Sequence, residues 1–260
     1  MANPMKKTPT AIGNPFQPVD NSKPSYARMA LVGPSGGGKM VTALRIASPF
    51  EKVAVVCTEH DTARKYHSKT FGKDSKPLAF DVMSISGPDA SYSTEALEQA
   101  IQGAIANDYQ VLIVDSFSHF WESQGGILDM TDQLKGGDPA KTRDAWAETS
   151  PLWRKQIHLL MSAPLHLIVT MRAKTNWVVK TAEDGQGGKV QVIGTTPAQR
   201  KGIEYEFDLV GYLQAGEQYS TLSINKTRCS ELSYKTFRDA GSEDLRPYFE
   251  WLGFPSPKGN

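Results

Sequence analysis

Residues 31–42 read LVGPSGGGKMVT. From Gly33 through Pro34, Ser35, Gly36, Gly37 and Gly38 to Lys39 the stretch fits the phosphate-loop pattern G-x-x-x-x-G-K-[ST], and it departs only at Met40, where a hydroxyl is called for. Residues without side chains let backbone N–H groups converge on phosphate oxygens at a helix N-terminus, and Lys39 neutralises the terminal phosphates. The context is the required one: RMALVG before the loop reads as a buried strand, and VTALRIASPF after it as a helix that stops near Pro49. A purely structural turn would account for the glycines but not for a lysine in that place. Gly33 to Val41 is therefore the expected nucleotide cradle, with ATP and Mg2+ as its ligands.

Outward from the loop, KVAVVCTE is a second buried strand, a helical stretch lies near TARKYHSKTF, FDVMSI is a weaker strand, TEALEQAIQGAIAN a helix and YQVLIVDS a strongly apolar strand. Continuously apolar strands alternating with helices predict an α/β class, a mostly parallel twisted sheet with helices on both faces. Residues 122–146 form a polar, glycine-bearing excursion, followed by a long amphipathic helix around AWAETSPLWRKQIHLLMSA that Pro151 kinks or delays. LHLIVTM is another buried strand, and 172–196 has the look of a hairpin with a D-G turn near Gly185. EFDLVGYLQ and QYSTLSINKT form a second hairpin across 215–217, an antiparallel C-terminal edge. The expected division is a proline-rich arm over 1–26, a core over 27–240, and a short aromatic helix with a tail over 241–260. Phe16 is the one aromatic within the arm before Tyr26; it either folds back on its own domain or docks into a neighbouring subunit.

At 260 residues and 39% apolar content the chain buries a full core. A net charge of +1 advertises no nucleic-acid partner, so any such partner rests on local patches. Two cysteines, Cys57 and Cys229, form no metal or disulfide pattern. No apolar run approaches the roughly 20 residues of a membrane span, and no apolar signal core stands at the start. The expected location is cytoplasmic.

Two acids carry the chemistry. Asp115 ends the apolar strand VLIVD, where its carboxylate reaches magnesium through water. The next residue is Ser116 rather than a glutamate, so the general base stands elsewhere. Glu59, at the end of VAVVCTE, projects from the carboxyl edge of the sheet near the loop and is placed to orient or deprotonate water.

GPSGGGK, then TEHDTARKY, then LIVDS, then LIVTMR, in that order between Met29 and Arg228, resembles the RecA-type recombinase ATPases. The compact size and PAQRKGIEYEFDLVGYL look most like phage-encoded AAA-type ATPases of the Sak group, which implies a RecA-like core acting in single-strand annealing or recombination. The resemblance makes Glu59 the base, Asp115 the magnesium-shell acid and the end of LIVTMR a sensor, for which this chain offers Thr170, Met171 and Arg172. It makes Lys226 and Arg228, in SINKTRCS, a pair that reaches the nucleotide of an adjacent subunit in a ring or filament. It sets single-stranded DNA against the two polar excursions: Lys135, Lys141 and Arg143 in the first, Arg172, Lys174, Trp177, Lys180 and Lys189 in the second. Gln199, Arg200 and Lys201 are a further basic edge or the start of a helix. A phage or host single-strand-binding protein is a possible partner. Two other readings stand beside this one: a nucleotide-dependent switch or scaffold without efficient hydrolysis, and a helicase-loader or motor-type ATPase.

Met40 removes one oxygen ligand from magnesium, which commonly keeps several waters. A thioether is a poor partner for a hard cation, and Thr42, two helical positions on, is rotated to roughly the opposite face. The expectation is a binding-competent loop with weakened magnesium coordination and slow or conditional hydrolysis.

Overall fold

In a computed structural model, the structure describes residues 16, 18, 20, 25–71, 76–181 and 188–254, with backbone alone over 175–181 and 188–194. Most of the arm, the turn near Gly185 and the end of the tail lie outside the described residues. No helix among the described residues is long and apolar enough to cross a membrane.

The strands are β1 (Arg28–Gly33), β2 (Val53–Cys57), β3 (Asp81–Ser84), β4 (Val111–Asp115), β5 (His166–Thr181), β6 (Gly188–Pro197), β7 (Leu209–Ala215), β8 (Ser220–Thr227) and β9 (Thr236–Arg238). The helices are α1 (Lys39–Ala47), α2 (Thr94–Ala106), α3 (His119–Glu122), α4 (Ile127–Lys135), α5 (Thr142–Ser162) and α6 (Ser242–Trp251). They build one sheet in the order β3-β2-β4-β5-β1-β7-β8-β9, with β6 paired to the far half of β5. β3 through β7 in that order run parallel; β8 and β9 are antiparallel. This is the expected class, a mostly parallel α/β sheet with an antiparallel C-terminal edge.

The continuous apolar strands follow from burial on both faces. In β1, Met29 and Leu31 enter one core cluster with α1 and α6, while Ala30 and Val32 enter the other with α2 and α5. Parallel pairing places the C-terminal ends of β1, β2, β4 and the sheet half of β5 along one edge, where α1 also begins.

Several local expectations are corrected. The excursion over 122–146 is helical: Ile127 and Thr131, spaced i, i+4, are the buried face of α4, and Thr131 Oγ1 meets Thr149 Oγ1 of α5 at 2.7 Å. Lys135 therefore ends a helix, Lys141 lies in a 3-10 turn and Arg143 opens α5. α5 runs through Pro151 without a break. The stretch near TARKYHSKTF narrows to a 3-10 turn over Thr62–Tyr66. β5 does not stop at Met171 but continues to Thr181, carrying the hairpin with β6 beyond the sheet. β9 was not foreseen; only three residues long, it carries too little pattern to read.

Candidate nucleotide site

The glycine loop closes between β1 and α1. Gly36 and Gly38 have φ of 73° and 81°, the left-handed region that favours glycine, and Gly38 is the residue before the first turn of α1. At Gly37 a Cβ would come 3.0 Å from Pro34 O, a tight approach. Lys39 Nζ donates to Pro34 O at 2.8 Å, folding over its own loop. Burial lowers its pKa, against the pull of Asp115 and Glu59. Those two carboxylates and Lys39 thus form one electrostatic group at the carboxyl edge of the sheet.

Met40 is 7% exposed and belongs to the core cluster that also holds Leu31, Ala43 and Cys57. Thr42 lies instead beside Gly36 and Gly38 on a cleft of about 460 Å³ that the β7–β8 turn and Phe71 complete. The donor set suits a triphosphate: loop amides and an ammonium for the anion, and a carboxylate for a hard cation. It suits magnesium less fully, because an apolar side chain directed into the core stands where an oxygen ligand is called for.

Asp115 is buried at the end of β4, and Thr170 Oγ1 on β5 donates to its Oδ1. Burial raises its pKa, while the Thr170 hydrogen bond and Lys39 oppose the rise. Behind it lies a polar network that sequence reasoning missed. Ser116 N–H donates to Thr58 Oγ1 at 2.7 Å, Thr58 Oγ1 and His119 Nδ1 share a 2.5 Å hydrogen bond, and Tyr92 O–H donates to Thr58 O at 3.3 Å. Burial lowers the His119 pKa, favouring the neutral ring. The network ties the ends of β2 and β4 together, one residue away from Glu59 and Asp115. The signal in the sequence was the small polar run Ser116, Ser118, His119 after an apolar strand.

Glu59 follows β2, half-buried, and accepts from Arg172 Nη2 at 3.1 Å and Nε at 3.4 Å. Arg172 also lies 3.8 Å from Glu122, and Lys174 Nζ is 3.0 Å from the other oxygen of Glu122. Of the three sensor candidates, Met171 is fully buried in the core, Thr170 holds Asp115, and Arg172 holds Glu59.

Lys226 and Arg228 lie elsewhere. β7 pairs with β1 at Met29↔Leu209 and with β8 at Val210↔Lys226, so both cations sit toward the sheet end opposite the loop. A bulge between Val210 and Gly211 resets the alternation of β8 and places Lys226 on the face of Val210, where its ammonium donates to Phe207 O. Arg228, just past the strand, is 3.5 Å from Asp208. In the first excursion Lys135 pairs with Asp132 at 2.5 Å and Arg143 with Asp144 at 3.2 Å. Trp177, Lys180 and Lys189 occupy paired positions of the β5–β6 hairpin, but their side chains lie outside the described residues.

Residues 25–233 match a family model described as an AAA domain. Among solved structures, a KaiC-like protein from the hyperthermophilic archaeon Pyrococcus horikoshii OT3 is similar at 14% identity, over 87% of this chain and 98% of that one, with a TM-score of 0.41. No curated protein matches.

Proposed function

The chain belongs to the AAA-domain family of P-loop ATPases, and on that premise we propose that it binds ATP, hydrolyses it slowly, and works as an oligomer on single-stranded DNA in recombination or strand annealing. One observation carries the nucleotide part: Lys39, Asp115 and Glu59 converge where a helix N-terminus meets the carboxyl ends of parallel strands, while Met40 is turned into the core. In this reading the loop amides and Lys39 hold the phosphates, Asp115 takes the water shell of the metal, and Glu59 receives a proton from the attacking water. Magnesium, when bound, neutralises charge on the phosphate oxygens.

Support for assembly comes from Lys226. It stands about three strand steps below Gly33 and two strands across, roughly 14 Å away, beyond reach of its own loop. A cation there serves a nucleotide only when a neighbouring copy brings one. Support for DNA is the resemblance together with the β5–β6 hairpin, rooted at Arg172 beside the site. Met40 also favours a second reading, a nucleotide-dependent switch that assembles on ATP and hardly turns it over.

The test is steady-state ATP turnover with and without a single-stranded oligonucleotide. Stimulation by the strand supports the proposal; indifference to it at low salt removes the DNA part.

A further inference from the structure

A cleft of about 950 Å³ lies away from the phosphate loop. Its walls are the root of the β5–β6 hairpin, the segment 199–205, and Val210, Tyr212, Asn225 and Lys226 of β7 and β8. Four cations line it, Lys174, Arg200, Lys201 and Lys226, with Glu204 the one carboxylate among the lining residues; Lys174 is also paired with Glu122, whereas Arg200 and Lys201 stand in no ion pair among the described residues. Glu204 faces the Tyr212 hydroxyl at 3.5 Å rather than any of the four.

The cationic wall is held in place from behind. Gln199 is buried: its Oε1 accepts from the Arg200 backbone N–H at 3.0 Å and from Trp153 Nε1 at 3.3 Å, and its Nε2 donates to Phe117 O at 3.4 Å. The Arg200 guanidinium lies over the Trp153 ring at 4.8 Å. Lys226 is fixed from below by the carbonyls of Phe207 and Tyr205. At the mouth stands Tyr205, 80% exposed, an aromatic ring with one face open. Fixed cations beside an exposed ring are what a single nucleic-acid strand requires, since phosphates take the charge and a base takes the ring. The cations of the α4–α5 region offer a poorer field, with Lys135 and Arg143 each beside an aspartate.

We propose that this cleft holds the sugar–phosphate backbone of a single DNA strand, with Arg200 and Lys201 on phosphates and Tyr205 under a base. The proposal rests on the DNA reading above and gives it a place distinct from the hairpin tip.

The experiment uses the full chain and a fluorescein-labelled oligo-dT, followed by anisotropy over a series of salt concentrations. Arg200→Ala/Lys201→Ala is expected to bind at least tenfold more weakly. Its log–log salt slope becomes shallower by about 1.4, close to 0.7 for each lost contact on a single strand. Lys201→Glu, a change at an exposed position, gives the same direction without touching the Trp153 stack. Tyr205→Ala weakens binding by roughly five- to a hundredfold with the slope unchanged, the range for loss of one stacked base. Affinity for a fluorescent ATP analogue stays at the wild-type value in all three. Wild-type DNA affinity and slope in the Arg200→Ala/Lys201→Ala protein would overturn the proposal. So would loss of ATP-dependent assembly with DNA binding intact, which would give the cleft to a neighbouring copy's nucleotide. A wild-type protein that ignores the oligonucleotide overturns this proposal and the DNA reading together.

Discussion

Arg172 Nη2 stands 3.1 Å from Glu59 Oε1, so the guanidinium at the point where β5 leaves the parallel sheet holds the carboxylate that follows β2. Both side chains are partly exposed, and a pair of that kind contributes no more than about 1 kcal/mol. It is strong enough to orient Glu59 and weak enough to yield when a triphosphate arrives. Through Glu122 the same guanidinium is linked to Lys174, at the root of the hairpin.

Arg172→Ala is therefore expected to lower ATP turnover about tenfold or more while nucleotide affinity changes much less, because the loop is untouched. Removing a fixed donor from developing charge costs up to two or three orders of magnitude in enclosed sites; this site is half open. Arg172→Lys keeps the charge but not the fork and recovers only part of the loss. The paired measurement is kcat beside the Kd for ATP. Equal loss of both would reduce Arg172 to a binding residue.

Asp115 gives a prediction of opposite sign for stability and activity. Burial raises its pKa above that of a carboxylate in the unfolded chain, so its charge opposes folding, increasingly as pH rises through the window between the two values. Asp115→Asn relieves that cost and keeps an acceptor for Thr170. The unliganded protein should melt a few degrees higher, about 2–4 °C for each kcal/mol gained, while turnover is lost. A lower melting temperature would mean that the carboxylate, not merely an acceptor, supports the fold.

The acid sensitivity of the fold should centre on His166. It is buried among Tyr26, Phe50, Phe249 and Phe254, its Nδ1 accepts the Ala27 N–H at 3.1 Å, and its pKa is pushed down to about 4, first by burial and then by Arg28. The unfolded ring binds its proton near 6.5, so between 6.5 and 4 the unfolded state holds more protons and stability falls as pH falls. The loss is up to about 3 kcal/mol. Melting curves from pH 7 to 4.5 should show this decline, and His166→Gln should flatten it. An equally steep decline in the variant would assign the effect to other groups.

If Lys226 serves the nucleotide of another copy, two inactive variants should rescue each other. Lys226→Ala keeps an intact loop, and Lys39→Ala keeps an intact Lys226. Each alone turns over little ATP, and a mixture recovers a measurable fraction. A mixture no more active than its parts would place Lys226 outside the chemistry.

What the sequence made legible follows from the physics of each element. The loop and the strands β1, β2 and β4 could be read because burial on both faces leaves continuous apolar runs, and because the positive φ at Gly36 and Gly38 favours glycine. The α4 helix was hidden under a polar composition: its buried face, Ile127 and Thr131, is narrow and half made of a threonine. The Arg172–Glu59 pair joins residues 113 apart, and no local pattern announces it. Met40 was legible as a missing ligand, but its place in the core depends on how α1 packs against the sheet.

That place makes Met40 the sharpest test. The central claim is a nucleotide-binding core in which packing has replaced a magnesium ligand, leaving hydrolysis slow. Met40→Thr restores the hydroxyl and, by opening a buried site, lowers stability by about 2 kcal/mol, so the comparison belongs well below the melting temperature of both proteins. The measurement is ATP turnover of wild type and Met40→Thr across a magnesium titration. The expected result is several-fold faster turnover in the variant, saturating at lower magnesium. Equal turnover at every magnesium concentration would contradict the claim and show that the site completes its metal shell without this residue.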